Sequence, residues 1–122
     1  MIIAGNRDDI DDLEEGAQEV FLELLVTIDR YDLYGKVTLP KHHQRDQVAM
    51  IYRIAAASGG VFVNPALTEP FGLTLIEAAA CGLPIVATED GGPKDIIDNC
   101  KNGFLIDPLE PGTITTALLK LF

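Results

Sequence analysis

Apolar residues follow two different rhythms along this chain. In the first they recur at steps of three and four: Ile10, Leu13, Ala17, Val20, Phe21, Leu24, Leu25, Ile28 and Tyr31. That spacing places them on one face of an amphipathic helix. Asp8 or Asp9 can cap its start, and Gly35 is placed to end it. Val48, Ile51, Tyr52 and Ala55 predict a second helix, with Asp46 as a cap and Ser58-Gly59-Gly60 as its end. A third helix holds Leu73, Leu75, Ile76, Ala78 and Ala79 and closes at Gly82. Pro93 to Asp98 predicts a short helical turn, because proline suits the first helical position. Pro111 to Phe122 predicts a last short helix.

The second rhythm is the short apolar run: Met1 to Gly5 (MIIAG), Lys36 to Pro40 (KVTLP), Val61 to Val63, Leu83 to Thr88 (LPIVAT) and Gly103 to Ile106 (GFLI). Most of these runs are continuously apolar rather than alternating, which predicts strands buried on both faces. Strands of that kind interleaved with helices predict an α/β fold with an open parallel, Rossmann-like sheet. No repeat or linker divides the chain, so one unit is expected. Met1–Gly5 would open the chain inside a core strand, which predicts that the sequence is part of a longer domain.

Composition narrows the possibilities further. A chain of 122 residues holds one domain at most, and 48% hydrophobic content excludes a disordered segment. No apolar run reaches the ~20 residues that span a bilayer, and no basic-then-apolar leader opens the sequence. The net charge of -10 argues against a nucleic-acid surface, since phosphates would be repelled. Much of that charge sits at Asp8, Asp9, Asp11, Asp12, Glu14 and Glu15, where a solvated helix start suits carboxylates. Cys81 and Cys100 lack a CxxC partner, and with no secretory leader in view a reduced, cytoplasmic compartment is expected, with Cys81 a small buried hydrophobe.

Candidate chemistry concentrates in Val61–Gly92 (VFVNPALTEPFGLTLIEAAACGLPIVATEDGG), which reads as strand, loop, helix, strand and glycine turn. Ligands of open α/β sheets bind at the carboxyl ends of the strands, where Asn64 to Gly72 begins. A helix starting near Phe71 or Gly72 offers free N–H groups and a positive dipole end to an anion, and Gly72 lets the backbone approach it. A second glycine turn, Gly91-Gly92-Pro93, would lie on the same sheet edge. Two adjacent backbone sites suit a diphosphate. Glu69 precedes the helix and Glu77 lies inside it, so they project to different places. That disfavours a paired acid and nucleophile flanking one bond. Carboxylates can instead accept the hydroxyl hydrogens of a sugar or ribose diol. For Glu77 the competing assignment is an ordinary exposed helix residue.

The stretch EPFGLTLIEA, then GLPIVAT, then the double glycine resembles the donor-site signature of the retaining GT-B-fold glycosyltransferases, which carry Glu-x7-Glu. With IIAGNRDD, LPKHHQRD, IYRIAA and NGFLIDP, the resemblance covers nearly the whole chain and is greatest to the plant-type sucrose-phosphate synthase family. It implies part of a C-terminal donor-binding domain of an enzyme that transfers glucose from UDP-glucose to fructose 6-phosphate with retention of configuration. In that assignment Glu69, the residue placed at the catalytic centre, contacts hydroxyls of the donor glucose. The N–H groups of Phe71, Gly72 and Leu73 face sugar and diphosphate, Glu77 holds the ribose diol, and Gly91 and Gly92 shape the adjoining turn. Lys41 and His42 fall where the uracil rests, although His42 and His43 are equally read as plain loop histidines. No cofactor and no metal are implied. Asp9-Ile10-Asp11 spells the Asp-x-Asp that holds a metal in GT-A enzymes, but here helix capping explains it. Adjacent histidines point apart, which argues against zinc.

The resemblance also implies what lies elsewhere. The Arg and Lys that neutralise the diphosphate would precede residue 1, and fructose 6-phosphate would be met by an N-terminal domain. With a family strand order of 3-2-1-4-5-6, the first, central strand would be missing. The fragment would then be marginally stable or pair Met1–Gly5 directly with Val61–Val63, and by itself it would be inactive. A sucrose synthase, another UDP-sugar glycosyltransferase, or a non-catalytic UDP-sugar-binding module are the alternatives.

Overall fold

A computed structural model describes residues 1–6 and 9–122. The capping role considered for Asp8 lies outside the described residues. The chain packs as two compact units, Met1–Gln44 and Arg45–Phe122.

In the first unit the long periodic stretch becomes a short 3-10 turn at Ile10–Asp12 followed by helix α1, Glu15–Arg30. The helix therefore starts later than the apolar spacing predicts. The Asp12 N–H donates to the Asp9 carbonyl at 2.9 Å, closing a tight turn of the kind that Asp-rich runs favour. Glu14 occupies the cap position without a side-chain capping bond. The helix also ends before Gly35. Asp32 adopts φ +49°, its N–H donates to the Asp29 carbonyl at 3.1 Å, and the Leu33 N–H reaches the Ile28 carbonyl at 2.9 Å. This paired closure is a Schellman motif, and Asp is one of the few non-glycine residues that tolerates it. Ile28 is the buried residue of α1.

Met1–Gly5 and Lys36–Pro40 meet through a single parallel bridge, Ile2 to Thr38. The Thr38 N–H donates to the Met1 carbonyl at 2.9 Å and the Ile3 N–H to the Thr38 carbonyl at 3.0 Å. One rung is too little for a strand, so both predicted strands reduce to extended segments. Asn6 ties them to the following loop: its amide accepts from the His43 N–H at 2.9 Å and donates to the His43 carbonyl at 3.3 Å.

The second unit runs α2 (Arg45–Ala57), β1 (Phe62–Asn64), α3 (Leu73–Ala80), β2 (Ile85–Thr88), α4 (Pro93–Cys100), β3 (Gly103–Ile106) and α5 (Pro111–Leu121). Asp46 sits inside the first turn of α2 instead of at its cap. The sheet order is β1-β2-β3, all parallel, with Val63 opposite Val86 and Val86 opposite Phe104. This is the α/β open parallel sheet that the apolar runs predict. Ile2 finds its partner in Thr38 within the first unit, and β1 finds its own in β2 within the second.

All four residues of β2 are buried, as its unbroken apolar run requires. Ile85 and Ala87 pack with Leu75, Ala78, Leu83 and Ile97, from α3, the turn after it and α4. Val86 points the other way, onto Ile106 and Ala117 of β3 and α5. Helices thus cover both faces. Fully burying a side chain such as Ile85 contributes about 1.5–3 kcal/mol. Two glycine closures set the strand positions: the Gly60 N–H donates to the Ala55 carbonyl at 2.8 Å after α2, and the Leu83 N–H to the Ala78 carbonyl at 3.1 Å after α3. Each turns the chain directly into the next strand.

Candidate functional site

The site grows from the carboxyl end of β1. Asn64 ends that strand, and its side-chain carbonyl accepts the Ala66 N–H at 3.1 Å, which turns the chain out of the sheet. The Asn64 amide then donates to Oε2 of Glu69 at 3.1 Å. The other carboxylate oxygen of Glu69, Oε1, accepts the Gly72 N–H at 2.9 Å and the Phe71 N–H at 3.4 Å. Glu69 therefore caps α3, satisfying donors that a helix start leaves open. The Gly72 N–H is the main reason its carboxyl lies below its ordinary value of 4.5; partial burial opposes this, and the Phe71 N–H and the Asn64 amide reinforce it.

Two of the N–H groups expected to face sugar and diphosphate, Phe71 and Gly72, are thus engaged by Glu69. The N–H of Leu73, the first residue of α3, has no acceptor among the described residues. The side chains of Phe71 and Leu73 are exposed.

The loop after β1 is seamed to the loop after β2. Glu69 and Gly91 form a parallel bridge, in which the Glu69 N–H donates to the Asp90 carbonyl at 3.2 Å and the Gly92 N–H to the Glu69 carbonyl at 2.8 Å. Thr68 Oγ1 donates to the Asp90 carboxylate at 2.8 Å beside it. Gly91 stands at φ +100°, and a Cβ there would lie 2.3 Å from the Glu69 carbonyl oxygen. A Cβ on Gly92 would lie 2.6 Å from that of Phe71. The two glycines are what lets these loops touch, so the turns do share one edge of the sheet.

Glu77 is exposed on α3, and no hydrogen bond or ion pair holds it among the described residues. Its charge is felt on α2, where the Tyr52 hydroxyl is pushed up first by burial and then by the negative charge of Glu77. Tyr52 itself is anchored edge-on against Phe62 of β1, with ring centroids 5.5 Å apart.

Lys41 and His42 belong to the first unit, where the Lys41 ammonium pairs with the Asp9 carboxylate and His42 is exposed. Among the described residues no group of three His, Cys, Asp or Glu side chains could hold a metal ion. Cys81 is half-buried at the end of α3, and Cys100 is exposed. A groove of about 570 Å³ lies at the other end of the sheet, lined among others by Leu83, Lys101, Asn102 and Phe104. It carries no carboxylate and is remote from the Glu69 seam.

The family of glycosyl transferases group 1 matches residues 1–122, the whole of this sequence. The chain belongs to that family. It is similar to a sucrose-phosphate synthase of Zea mays, 60% identical over 120 residues, and to one of Spinacia oleracea, 59% identical over 120 residues. It is also 58% identical over 120 residues to the probable sucrose-phosphate synthase 5 of Oryza sativa subsp. japonica. Each match covers 98% of this chain, but the chain spans only 11–12% of the length of these relatives. No helix among the described residues is long and apolar enough to cross a membrane.

For a group 1 glycosyl transferase, the seam offers one oriented carboxylate at the strand ends, a helix start beside it and, further along α3, a second carboxylate with no hydrogen-bond or ion-pair partner among the described residues. Asn64 is the member of this arrangement that spacing alone did not single out. An Asn-Pro pair leaving a strand signals a side-chain turn, but which carboxylate the amide meets depends on the loop's return.

Proposed function

We propose that this chain is the donor-binding part of a longer, retaining glucosyltransferase that moves glucose from UDP-glucose to fructose 6-phosphate. The observation that carries it is the Glu69 carboxylate, held by three donors at the strand ends and seamed by its backbone to Gly91 and Gly92. A carboxylate fixed in this way suits a ligand hydroxyl, and an oriented group loses little freedom when it engages. Glu69 takes a hydroxyl of the glucose, and Glu77 takes the ribose diol. The Leu73 N–H and the positive end of α3 face the diphosphate. Residues outside this segment supply the cations for the diphosphate and the wall that meets fructose 6-phosphate. The sucrose-phosphate synthase names of the relatives favour this acceptor over free fructose. The reaction needs no cofactor in this reading, and the protein works in the cytoplasm.

The test is turnover by the full-length polypeptide with UDP-glucose and either fructose 6-phosphate or fructose. Sucrose 6-phosphate with the α-glucosyl configuration kept is the expected product. Sucrose from fructose alone would support a sucrose synthase. UDP-glucose binding without any product would support a binding module.

A further inference from the structure

Glu69 has fewer open positions than an isolated carboxylate. Two backbone N–H groups converge on Oε1, and the Asn64 amide takes one position on Oε2. Of the roughly four lone-pair sites of a carboxylate, one remains, on Oε2. Asn64 is itself pinned. Its carbonyl oxygen is fixed by the Ala66 N–H at 3.1 Å, so its amide nitrogen must be the end that faces Glu69. That nitrogen carries two hydrogens, one of which goes to Oε2. The second has no acceptor among the described residues. One acceptor and one donor therefore stand side by side, on atoms 3.1 Å apart. A single hydroxyl group, which donates and accepts at once, matches this pair.

We infer that Asn64 is a positioning residue for Glu69, and that the pair reads one hydroxyl of the donor sugar by giving and taking a hydrogen bond. The inference rests on the donor-site function proposed above and deepens it. Asn64 sets the plane of the carboxylate and supplies the second half of the recognition. A sugar that lacks that hydroxyl, or presents it on the other face of the ring, leaves the amide hydrogen and Oε2 unpaired. Unpaired polar groups in a site are what reject such analogues most strongly.

The test uses the full-length polypeptide with three substitutions. Asn64→Asp keeps an acceptor for the Ala66 N–H, so the turn survives, but it removes the donor to Glu69. Asn64→Ser also keeps an acceptor, without adding charge, should the aspartate variant fold poorly. Glu69→Gln reports on the site itself. The expected result is a fall in kcat/KM for UDP-glucose of about 10- to 100-fold in both Asn64 variants, with UDP affinity unchanged and a cooperative melt lowered by no more than the loss of one hydrogen bond in Asn64→Ser. Wild-type kcat/KM in the Asn64 variants, with Glu69→Gln impaired, would overturn the role of Asn64 and leave the donor-site function standing. Equal loss of UDP and UDP-glucose binding would also overturn it, because that is the mark of a purely structural residue. Full activity in Glu69→Gln would overturn the donor-site assignment, and this inference with it.

Discussion

Replacing Gly91 by alanine tests whether the seam between the two loops holds the site together. The new Cβ would stand 2.3 Å from the Glu69 carbonyl oxygen and 2.9 Å from its carbon, which are backbone atoms with nowhere to swing. The φ of +100° also forces an L-residue into a disfavoured region, which costs about 1–3 kcal/mol. Relieving the clash means opening the bridge, which breaks the bonds from Gly92 to Glu69 and from Glu69 to Asp90. Each such bond contributes about 0.5–1.5 kcal/mol. The expected loss is therefore about 2–6 kcal/mol, shared between global destabilisation and local opening. Urea unfolding reads the first as a lower midpoint at constant slope. Hydrogen exchange at the Gly92 amide reads the second, as an acceleration of more than about tenfold. Gly112→Ala is the control, since nothing lies within 4 Å of its added carbon; it should be neutral or stabilising by up to ~1 kcal/mol. Gly91→Ala within 1 kcal/mol of wild type, with unchanged Gly92 exchange, would refute the seam.

Further outcomes follow from the same packing. Because the Glu69 carboxyl lies below its ordinary value of 4.5 when folded, its contribution to stability is full above that value. It is lost as pH falls through the lower folded value, so the midpoint gap between wild type and Glu69→Gln should be present at neutral pH and shrink under acid. Ile85→Ala, at a fully buried position in the central strand, should cost about 2–5 kcal/mol by urea unfolding, whereas Val20→Ala on the exposed side of α1 should fall within about 1 kcal/mol of wild type. In native-state exchange the amides of β2 should be the slowest of the sheet, and those of the single-rung Met1–Gly5 segment should be fast.

What the sequence made legible follows from how local each cause is. The run Ile85–Thr88 is buried throughout because a central parallel strand has covers on both faces, and its unbroken apolar character announces that. Gly59 and Gly82 close α2 and α3, because a left-handed helix end is a local requirement. The Glu-Pro-Phe-Gly start of α3 and the double glycine were equally readable, and they do meet on one edge. Other features depend on contacts that spacing does not carry. Asp32 ended α1 ahead of the glycine, because Asp can adopt the same backbone conformation. Met1–Gly5 and Lys36–Pro40 looked like strands by composition, yet they make one bridge. Of the N–H groups expected to face an anion, two are accepted by Glu69, only three residues before Gly72, a contact that depends on how the loop folds back. The role of Asn64 emerged only when the loop brought Glu69 back to it.

The central claim is that this segment holds a uridine diphosphate sugar through two carboxylates with separate tasks. Calorimetric titration of the full-length polypeptide with UDP alone, in wild type and in Glu77→Ala, tests it most directly. UDP carries the ribose diol and the diphosphate but no glucose, so only the task of Glu77 is in play. Wild type should bind, and Glu77→Ala should bind about 10- to 100-fold more weakly. Equal affinity of the two proteins for UDP would contradict the account.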